Sequence, residues 1–578
     1  MASFKIGINM AGAISAGAYT AGVLDFLTEA LDEWHRAKAQ GETVPAHDVS
    51  IEVISGASAG GMCAAISAVL LHERFDHIQD TTKAGTNNRL YESWVNRIDI
   101  SELLKTRDLN SGTSVTSLLD STIIGDIARY ALTPGPALAN PRSYVSPGLT
   151  LFLSLTNLRG IPYSLSGAAP GSIEETAFFF GDRIRFQTVS SATAQQRTTQ
   201  CHNLDFSKPG VSGGWDMLQN AAIATGAFPI FLAPRVLNRH PSEYIPPMWE
   251  SVTSAVTGTP PPISPAFPPG TPDLIETLNI DGGVTNNDPF NYAYDFLAKL
   301  SPALEDDTIP STAANADRAV ISIAPFPTSD IFDLGYKPAA HSSVFSVLGK
   351  LLSVLLSQSR FFGESLQQVM TGTTFSRFVI APSDAELARR YQGRSTQPPA
   401  LQCGTLGAFG GFFNRGFRAH DYALGRRNCQ KFLSDSFILP KRNGVIAAGL
   451  ERNGPANAQA VIDKFGRRAP GNYAKTAQPA LSQVATDDVW LPIIPLCTDS
   501  LRQPIPRVVR AKMTKQDLDV IVDLVMERSK ALMPHLISGI PSMALRTFLS
   551  IGQPFIRFLA RKPLHDSIAK QLGDSYEA

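Results

Sequence analysis

A serine between closely spaced glycines is the residue of this sequence best suited to covalent chemistry. Gly56, Ser58 and Gly60 belong to a G-x-S-x-G pentapeptide that follows the apolar run at 49–54 and precedes a run of small residues. Between a strand and a helix, this pentapeptide forms a sharp turn that holds the serine Oγ above the edge of a sheet. The N-terminus of the following helix favours negative charge at the same place. Ser58 is therefore a predicted nucleophile, and a tightly packed corner without chemistry is the alternative.

An aspartate at the end of a later strand is the candidate base that a nucleophilic serine needs. Asp281 lies in NIDGGVTNNDPF, residues 279–290, where Gly282 and Gly283 follow it and allow a close turn. A carboxylate that only caps a turn is the alternative.

The corner after the first predicted strand is the candidate oxyanion hole. This corner lies in the stretch MAGAISAGAY, residues 10–19, which comes immediately before an amphipathic helix. We expect the backbone N–H groups of Gly12, Ala13 and Ile14 to point out of the same sheet edge as Ser58. Such groups stabilise the negative oxygen of a tetrahedral intermediate. Close packing of small residues between a helix and a sheet is the alternative.

Strands and helices must bring these three sites together. Six apolar residues at helical spacing predict an amphipathic helix after the first corner, namely Val23, Phe26, Leu27, Ala30, Leu31 and Trp34. Short apolar runs predict strands at residues 4–10, 49–54, 149–158, 276–283, 318–326 and 377–382. Strand, tight turn and helix occur twice in succession near the N-terminus, which is the pattern of a parallel sheet with crossover helices. We therefore expect an α/β fold with a mostly parallel sheet and helices on both faces.

The pattern changes in the last third of the chain. A stretch rich in Gly and Phe at 404–417 leads into helical segments, and Thr514 and Asp517 have the spacing of a capping box before a long helix. We predict a catalytic domain at residues 1–385 and a mostly helical C-terminal region of unassigned role at 386–578.

Three segments are candidates for surface roles. Residues 251–273 are rich in Pro, Ser, Thr and Gly, which favours a surface loop. Residues 343–362 carry an apolar stripe at helical spacing, typical of a core or lid helix, with membrane contact as the alternative. Residues 548–565 mix aromatic and cationic residues and are a second candidate for contact with a membrane or a partner.

Composition narrows the class of protein. The chain has 578 residues, 43% of them hydrophobic, and a formal net charge of +0, so we expect a large core and no nucleic-acid partner. Its five cysteines are odd in number and widely spaced, which favours a reducing compartment over a disulfide framework or a zinc site. Neither a signal peptide nor a spanning helix is predicted. We expect a cytoplasmic protein without metal or cofactor, either soluble or peripheral at a membrane.

Taken in order, these motifs resemble the patatin-like phospholipase family. The resemblance covers about residues 4–385 and includes AAIATGAFPIFLAP, residues 221–234, between the serine turn and Asp-Gly-Gly. It implies a parallel-sheet α/β fold, a catalytic dyad of Ser58 and Asp281 without histidine, and hydrolysis of the acyl esters of lipids.

The first corner departs from the family's usual pattern of three glycines, a variable residue, a basic residue and a glycine. Gly12, Ala13 and Ile14 occupy the three glycine positions, and Ala16 stands where the basic residue would be. A main-chain N–H donates whatever the side chain is. The hole therefore survives this departure if the backbone angles there are open to residues other than glycine.

The sequence thus predicts a lipid acyl hydrolase of the phospholipase A or lysophospholipase type, acting through a serine acyl-enzyme. Because a carboxylate is a weaker base than imidazole, we expect a buried contact between Ser58 and Asp281 that raises the pKa of the aspartate. Two alternatives stay open: an α/β-hydrolase-type esterase with His341 or His420 as its base, and a weakly active lipid-binding or regulatory scaffold. The sequence specifies no lipid headgroup and no protein activator.

Overall fold

The structure is a computed structural model that describes residues 3–82, 85–109, 114–166, 174–189, 201–207, 213–244, 265–300, 309–326, 354, 374–392, 398–469, 489–538 and 561–577. His341, the apolar stripe at 343–362 except for Val354, and residues 548–560 lie outside the described residues. So does the part of the predicted surface loop at 251–264.

Nine strands of the described chain form one sheet. They are β1 (Ser3–Met10), β2 (Asp48–Gly56), β3 (Val145–Ser166), β4 (Glu174–Val189), β5 (His202–Asp205), β6 (Arg235–Arg239), β7 (Ile275–Asp281), β8 (Arg318–Ile323) and β9 (Arg377–Ile380). The order is β5-β4-β3-β2-β1-β8-β9, and β7 pairs with β3 and β6. Parallel pairing joins β3, β2, β1, β8 and β9 in succession, which confirms the predicted mostly parallel sheet.

An antiparallel part of the sheet was not predicted, and it positions the aspartate. β3 pairs antiparallel with β4 and β7, and β7 pairs antiparallel with β6. On β3, Leu153 pairs with Gly56 of β2, and Leu155 pairs with Asp281 of β7. β7 therefore continues the edge of β3 where β2 stops, and the C-terminal ends of β2 and β7 meet.

The described helices surround this sheet. They are α1 (Gly17–Ala39), α2 (Ser58–Leu70), α3 (Arg89–Tyr91), α4 (Ile100–Leu103), α5 (Thr122–Leu132), α6 (Gly213–Thr225), α7 (Phe290–Lys299), α8 (Ala385–Arg390), α9 (Gly410–Phe413), α10 (Arg415–Asp435), α11 (Gly444–Phe465), α12 (Asp499–Arg502), α13 (Lys515–Ser538) and a helix at 561–572. All six apolar residues that predicted α1 are buried. The predicted capping box precedes α13, since the Asp517 N–H donates to the Thr514 Oγ1 at 3.2 Å.

Helices cover both faces of the sheet. On one face, Phe290 and Leu297 of α7 form a small core with Val53 of β2 and Val320 of β8. On the other face, α1 and α2 belong to the main core together with strand residues such as Ile54. β8 and residues 149–157 of β3 are buried on both sides, which is why they read as nearly continuous apolar runs.

The C-terminal region packs directly on α1. A β-carbon on Gly22 would lie 2.0 Å from the carbonyl oxygen of Tyr422, so α1 and α10 cross at close range. Beside this crossing, Asp25 of α1 forms a buried ion pair with Arg426 of α10. The region also contains two small two-stranded sheets, β10 (Ile438–Pro440) with β11 (Trp490–Pro492) and β12 (Met513–Thr514) with β13 (Tyr576–Glu577). Its described part is mostly helical, as predicted, and shares its core with the sheet.

Candidate active site

Ser58 is the first residue of α2 and comes two positions after the end of β2. Its φ of +54° lies in the left-handed region, where residues with a side chain are uncommon. Such strain persists only where neighbouring structure enforces it, and it is frequent at functional sites. Here the Ser58 N–H donates to the Thr225 Oγ1 at 3.0 Å, which holds the strained peptide.

The two glycines of the serine turn are required because other backbone lies close to them. A β-carbon on Gly56 would lie 2.6 Å from the carbonyl oxygen of Gly60, and one on Gly60 would lie 2.3 Å from that of Met10. A side chain at Gly56 would therefore push α2 away from the end of β2, and one at Gly60 would separate α2 from β1. The turn and the end of the first strand are in direct contact.

The structure brings Ser58 and Asp281 together. The Ser58 hydroxyl donates to the Asp281 Oδ2 at 2.6 Å, and the two residues are 6% and 1% exposed. Burial raises the pKa of Asp281 to about 7, while the hydrogen bonds from Ser58 and from the Gly283 N–H act in the opposite direction. A carboxylate with this pKa is a much better proton acceptor near neutral pH than an exposed aspartate.

The glycines after Asp281 fix the position of its carboxylate. The Gly283 N–H donates to the Asp281 Oδ1 at 2.7 Å, which leaves Oδ2 for the serine. A β-carbon on Gly282 would lie 2.0 Å from the carbonyl oxygen of Ser154 on β3, so only glycine fits there. The turn is therefore pressed against β3.

Thr225 links the serine to the strand beside the aspartate. Its Oγ1 accepts the Ser58 N–H and donates to the carbonyl oxygen of Ser154 at 2.7 Å, and its side chain is buried. The segment 221–234 was recognised only as part of the family resemblance, and no role was predicted for Thr225. The available signal was a hydroxyl residue in a segment that precedes the aspartate.

In the first corner, Gly12 differs from the prediction. Its N–H donates to the carbonyl oxygen of Asn287 at 2.9 Å, so it does not face an oxyanion in this conformation. A β-carbon on Gly12 would lie 2.0 Å from the Asn287 Oδ1 and 3.0 Å from the Ser58 Cβ, so Gly12 instead allows the corner to approach the serine. Within the described part of the chain, the N–H groups of Ala13 and Ile14 have no acceptor, and these two remain available.

Ile14 is held in a conformation that suits glycine. Its φ is +47°, a rare value for a β-branched residue. The Ile14 side chain is half-buried and contributes to the wall of the pocket beside Ser58. The departure from three glycines thus leaves a strained residue at the third position.

No histidine of the described chain donates to or accepts from Ser58 or Asp281. His420 is buried on α10, where its Nδ1 lies 2.8 Å from the Asp421 Oδ1. His341 lies outside the described residues. The geometry therefore gives His420 no direct role as a base for the serine.

A largely apolar pocket surrounds Ser58 and Asp281. Its volume is about 540 Å³, including the open mouth, and its wall contains Ile14, Ala59, Met62, Trp94, Ile98, Leu103, Leu119, Ile124, Gly226, Phe228, Phe231, Leu232, Phe409 and Phe412. Phe409 and Phe412 come from the Gly/Phe segment, which we define as residues 404–413. The pocket is thus completed by a part of the chain that lies beyond the predicted boundary at residue 385.

A second cavity of about 450 Å³ adjoins this pocket. Met62, Trp94, Ile98 and Ile124 belong to the walls of both cavities. The remaining wall of the second cavity is almost entirely aliphatic and comes mainly from α2, α5 and α6. Ser58 therefore borders one of two apolar cavities that lie side by side and share part of their walls.

The described residues contain no group of three or more His, Cys, Asp or Glu side chains arranged to hold a metal ion. Among the helices that the structure describes, none combines the length and the apolar character needed to cross a membrane.

The site is thus a serine and a buried carboxylate at the adjoining strand ends of an α/β sheet. A family model described as patatin-like phospholipase matches residues 9–294, and the chain belongs to this family. Uncharacterized protein y4iI of Sinorhizobium fredii (strain NBRC 101917 / NGR234) is 32% identical over 601 residues, which cover 98% of this chain and 80% of that protein. The crystal structure of VipD from Legionella pneumophila covers 100% of this chain and 89% of its own at 11% identity, with a TM-score of 0.24.

Proposed function

We propose that this protein is a phospholipase A or lysophospholipase type enzyme that cleaves fatty-acyl esters through a serine acyl-enzyme. Its family supports lipid acyl hydrolysis in general. The observation that carries the finer proposal is the 2.6 Å hydrogen bond from the Ser58 hydroxyl to the Asp281 Oδ2 inside an apolar pocket. The two residues act as nucleophile and general base.

In the first step, the Ser58 Oγ attacks the ester carbonyl carbon while the Asp281 Oδ2 takes the hydroxyl proton. The carbonyl oxygen becomes negative in the tetrahedral intermediate. The intermediate then collapses, the bond to the leaving alcohol breaks, and the protonated Asp281 returns the proton to that oxygen. The product is an ester between Ser58 and the fatty acyl group.

The N–H groups of Ala13 and Ile14 are the proposed donors to the negative oxygen. They lie between Gly12, which touches Ser58, and the start of α1. The N-terminus of α2 at Ser58 adds its positive end to the same place. Donors that the backbone holds in place need little reorganisation during the reaction. Most of their stabilisation of the negative oxygen comes from this pre-organisation.

In the second step, Asp281 takes a proton from water, and the resulting hydroxide attacks the acyl-enzyme. The fatty acid leaves, and the proton returns to the Ser58 Oγ. Because the same carboxylate serves both steps, its loss should be nearly as damaging as the loss of the serine. The raised pKa of Asp281 supports this double role, since the group must both accept and return a proton near neutral pH.

The shape of the pocket supports a long acyl substrate. The wall that adjoins the serine and the wall of the second cavity are almost entirely apolar, and the two share Met62 and Trp94. An acyl chain that extends from the serine past these residues would bury apolar surface, at about 25 cal/mol per Å².

The test compares the purified wild type with Ser58→Ala and Asp281→Asn on a chromogenic fatty-acyl ester. We expect both variants to lose about four orders of magnitude or more in kcat, as removal of a catalytic triad residue does. Thermal unfolding checks that both are folded, and a fluorophosphonate probe should label the wild type but not Ser58→Ala. Near-normal turnover by Asp281→Asn beside an inactive Ser58→Ala would contradict the dyad.

The alternatives predict different results. An esterase with a histidine base would lose its activity in His341→Ala or His420→Ala and keep it in Asp281→Asn. A lipid-binding scaffold would bind the lipid but would neither turn it over nor react with the probe. A lipid-product profile of wild type against Ser58→Ala would then identify the headgroup and the acyl position.

A further inference from the structure

We propose that Ser15 is a positioning residue for the oxyanion hole, and that the Gly/Phe segment of the C-terminal region holds it in place. The proposal rests on the proposed function, because it concerns how the N–H groups of Ala13 and Ile14 are aimed. The Gly/Phe segment, for which the sequence predicted no role, thereby contributes to catalysis.

The contacts of Ser15 tie the first corner to the Gly/Phe segment. Its hydroxyl is buried and donates to the carbonyl oxygen of Ala408 at 2.6 Å. The Ser15 Oγ also accepts the Gly411 N–H at 3.0 Å, and it lies 3.4 Å from the carbonyl oxygen of Cys403. A serine hydroxyl has one donor and two acceptor sites, so one side chain makes both bonds.

These bonds hold one end of the corner while another bond holds its opposite end. At the first end, the Gly12 N–H donates to the carbonyl oxygen of Asn287. At the second end, Ser15 is fixed by Ala408 and Gly411. Ala13 and Ile14 are the residues between these two anchors. Their peptide groups can therefore be aimed at the site only while both anchors hold.

The corner needs such anchors because Ile14 is strained at φ +47°. A residue of this kind costs on the order of 1–3 kcal/mol and relaxes unless its surroundings enforce it. The segment that supplies the anchor is itself unusual, since Leu406, Gly407 and Ala408 have successive φ values of +54°, +62° and +74°. This left-handed turn comes immediately before Phe409, and its last residue presents the carbonyl oxygen that Ser15 binds.

Aromatic contacts keep the Gly/Phe segment at the pocket. The Phe409 ring lies 5.6 Å from that of Phe228 and 5.2 Å from that of Phe231, measured between ring centroids. Both partners belong to the segment between Thr225 and β6, which also forms the pocket wall. The Gly/Phe segment is therefore clamped to the site at two points, by Ser15 and by Phe409.

The experiment uses the full chain and compares Ser15→Ala with Tyr19→Phe. The control also removes one hydrogen bond to the C-terminal region, since the Tyr19 hydroxyl donates to the Asn428 Oδ1 at 3.1 Å, but Tyr19 lies in α1, outside the segment from Gly12 to Ser15. We measure kcat and KM on a short-chain butyryl ester, the rate of Ser58 phosphonylation and the thermal midpoint. A short ester makes few contacts with the pocket walls, so its kcat reports mainly on the reacting atoms.

We expect Ser15→Ala to lower kcat and the phosphonylation rate together, by about tenfold to a hundredfold, because a misplaced catalytic group has that effect. KM should change less than about twofold, and Tyr19→Phe should keep wild-type kcat. If Ser15→Ala does not fold, Ser15→Cys, which is similar in size but a weak donor, takes its place.

A kcat of Ser15→Ala equal to that of Tyr19→Phe would overturn the proposal, even if both variants lost the same stability. A rise in KM alone would also overturn it, because the segment would then act on substrate binding. An inactive, unlabelled wild type would instead overturn the proposed function itself. The two failures are therefore distinguishable.

Discussion

The serine turn and the first corner supply the two halves of one site, but they are held in different ways. At the serine turn, Gly56 and Gly60 are pressed against backbone of the turn itself and of β1, and the strained Ser58 is the nucleophile. At the first corner, the strained residue is Ile14, and its side chain does not take part in the proposed reaction.

The anchors of the two regions differ in their distance along the chain. The serine turn is held by β1 of the sheet and by Thr225 at the end of α6. The corner is held at Ser15 by Ala408, which is 393 residues away in the sequence. Both strained residues are thus held from outside their own turns, but the corner, with Ala13 and Ile14 at two of its three glycine positions, is held by a segment of the C-terminal region.

The largest effect should come from the serine turn. In Gly60→Ala, the new β-carbon would meet the carbonyl oxygens of Met10 and Ala11, at 2.3 and 2.6 Å. Backbone atoms cannot relieve this clash by a rotamer change as a side chain can. We therefore expect the free energy of unfolding to fall by about 1–3 kcal/mol or more. Because Ser58 would be displaced, kcat of this variant should fall by at least about a hundredfold. Denaturant unfolding and ester turnover measure the two effects.

Gly125→Ala is the matched control for that substitution. Gly125 lies inside α5, and a β-carbon there would meet nothing within 4 Å. Alanine favours a helix interior over glycine by about 1 kcal/mol, so this variant should be as stable as wild type or more stable, with unchanged kcat. Equal behaviour of the two variants would mean that the close approach at Gly60 is unimportant.

The next effect is the dependence of activity on pH. Because burial raises the pKa of Asp281 to about 7, and because only the carboxylate accepts a proton, activity should rise with pH through about 7. Below that value, kcat/KM for the butyryl ester should fall about tenfold per pH unit. A rate that stays constant from pH 5 to pH 8 would contradict Asp281 as the base.

The same carboxyl group makes stability depend on pH in the opposite direction. The pKa of Asp281 is higher in the folded protein than in an unfolded chain. Its contribution to the free energy of unfolding is therefore fully present below the unfolded pKa and is lost as the pH rises through about 7. Asp281→Asn does not ionise. Compared with the wild type, its thermal midpoint should therefore become relatively higher as the pH increases from 5 to 8.

Much of the fold could be predicted because the parallel strands are apolar on both faces. Strand β4 could not be predicted, because its sequence mixes aromatic and charged residues. The partners of these charged residues are known only from the folded structure. Buried Asp182 accepts from the Tyr244 hydroxyl at 3.0 Å and pairs with Arg239 at 3.5 Å. In the antiparallel part that positions Asp281, β7 was predicted as a strand at 276–283, whereas β4, β6 and the antiparallel pairing were missed.

For the candidate site, the sequence predicted the residues that touch one another but missed those that hold them. Ser58 and Asp281 belong to recognisable turns. The hydroxyls of Thr225 and Ser15 donate to the backbone carbonyl oxygens of Ser154 and Ala408. Every residue has such an oxygen, so the sequence does not indicate these partners. Gly12 was expected as a donor because its motif suggested it, and only the fold shows that Asn287 accepts its N–H.

The smallest predicted effect tests the first corner alone. Ile14→Ala and Ile14→Gly remove the same side chain from the pocket wall, but alanine keeps the β-carbon that makes φ +47° unfavourable. We expect the glycine variant to be more stable than the alanine variant by about 1 kcal/mol, measured by denaturant unfolding. At an unstrained position the order would reverse, because glycine loses more backbone entropy on folding. An alanine variant as stable as the glycine variant would therefore show that Ile14 is not strained, and the corner would no longer need the anchor at Ser15.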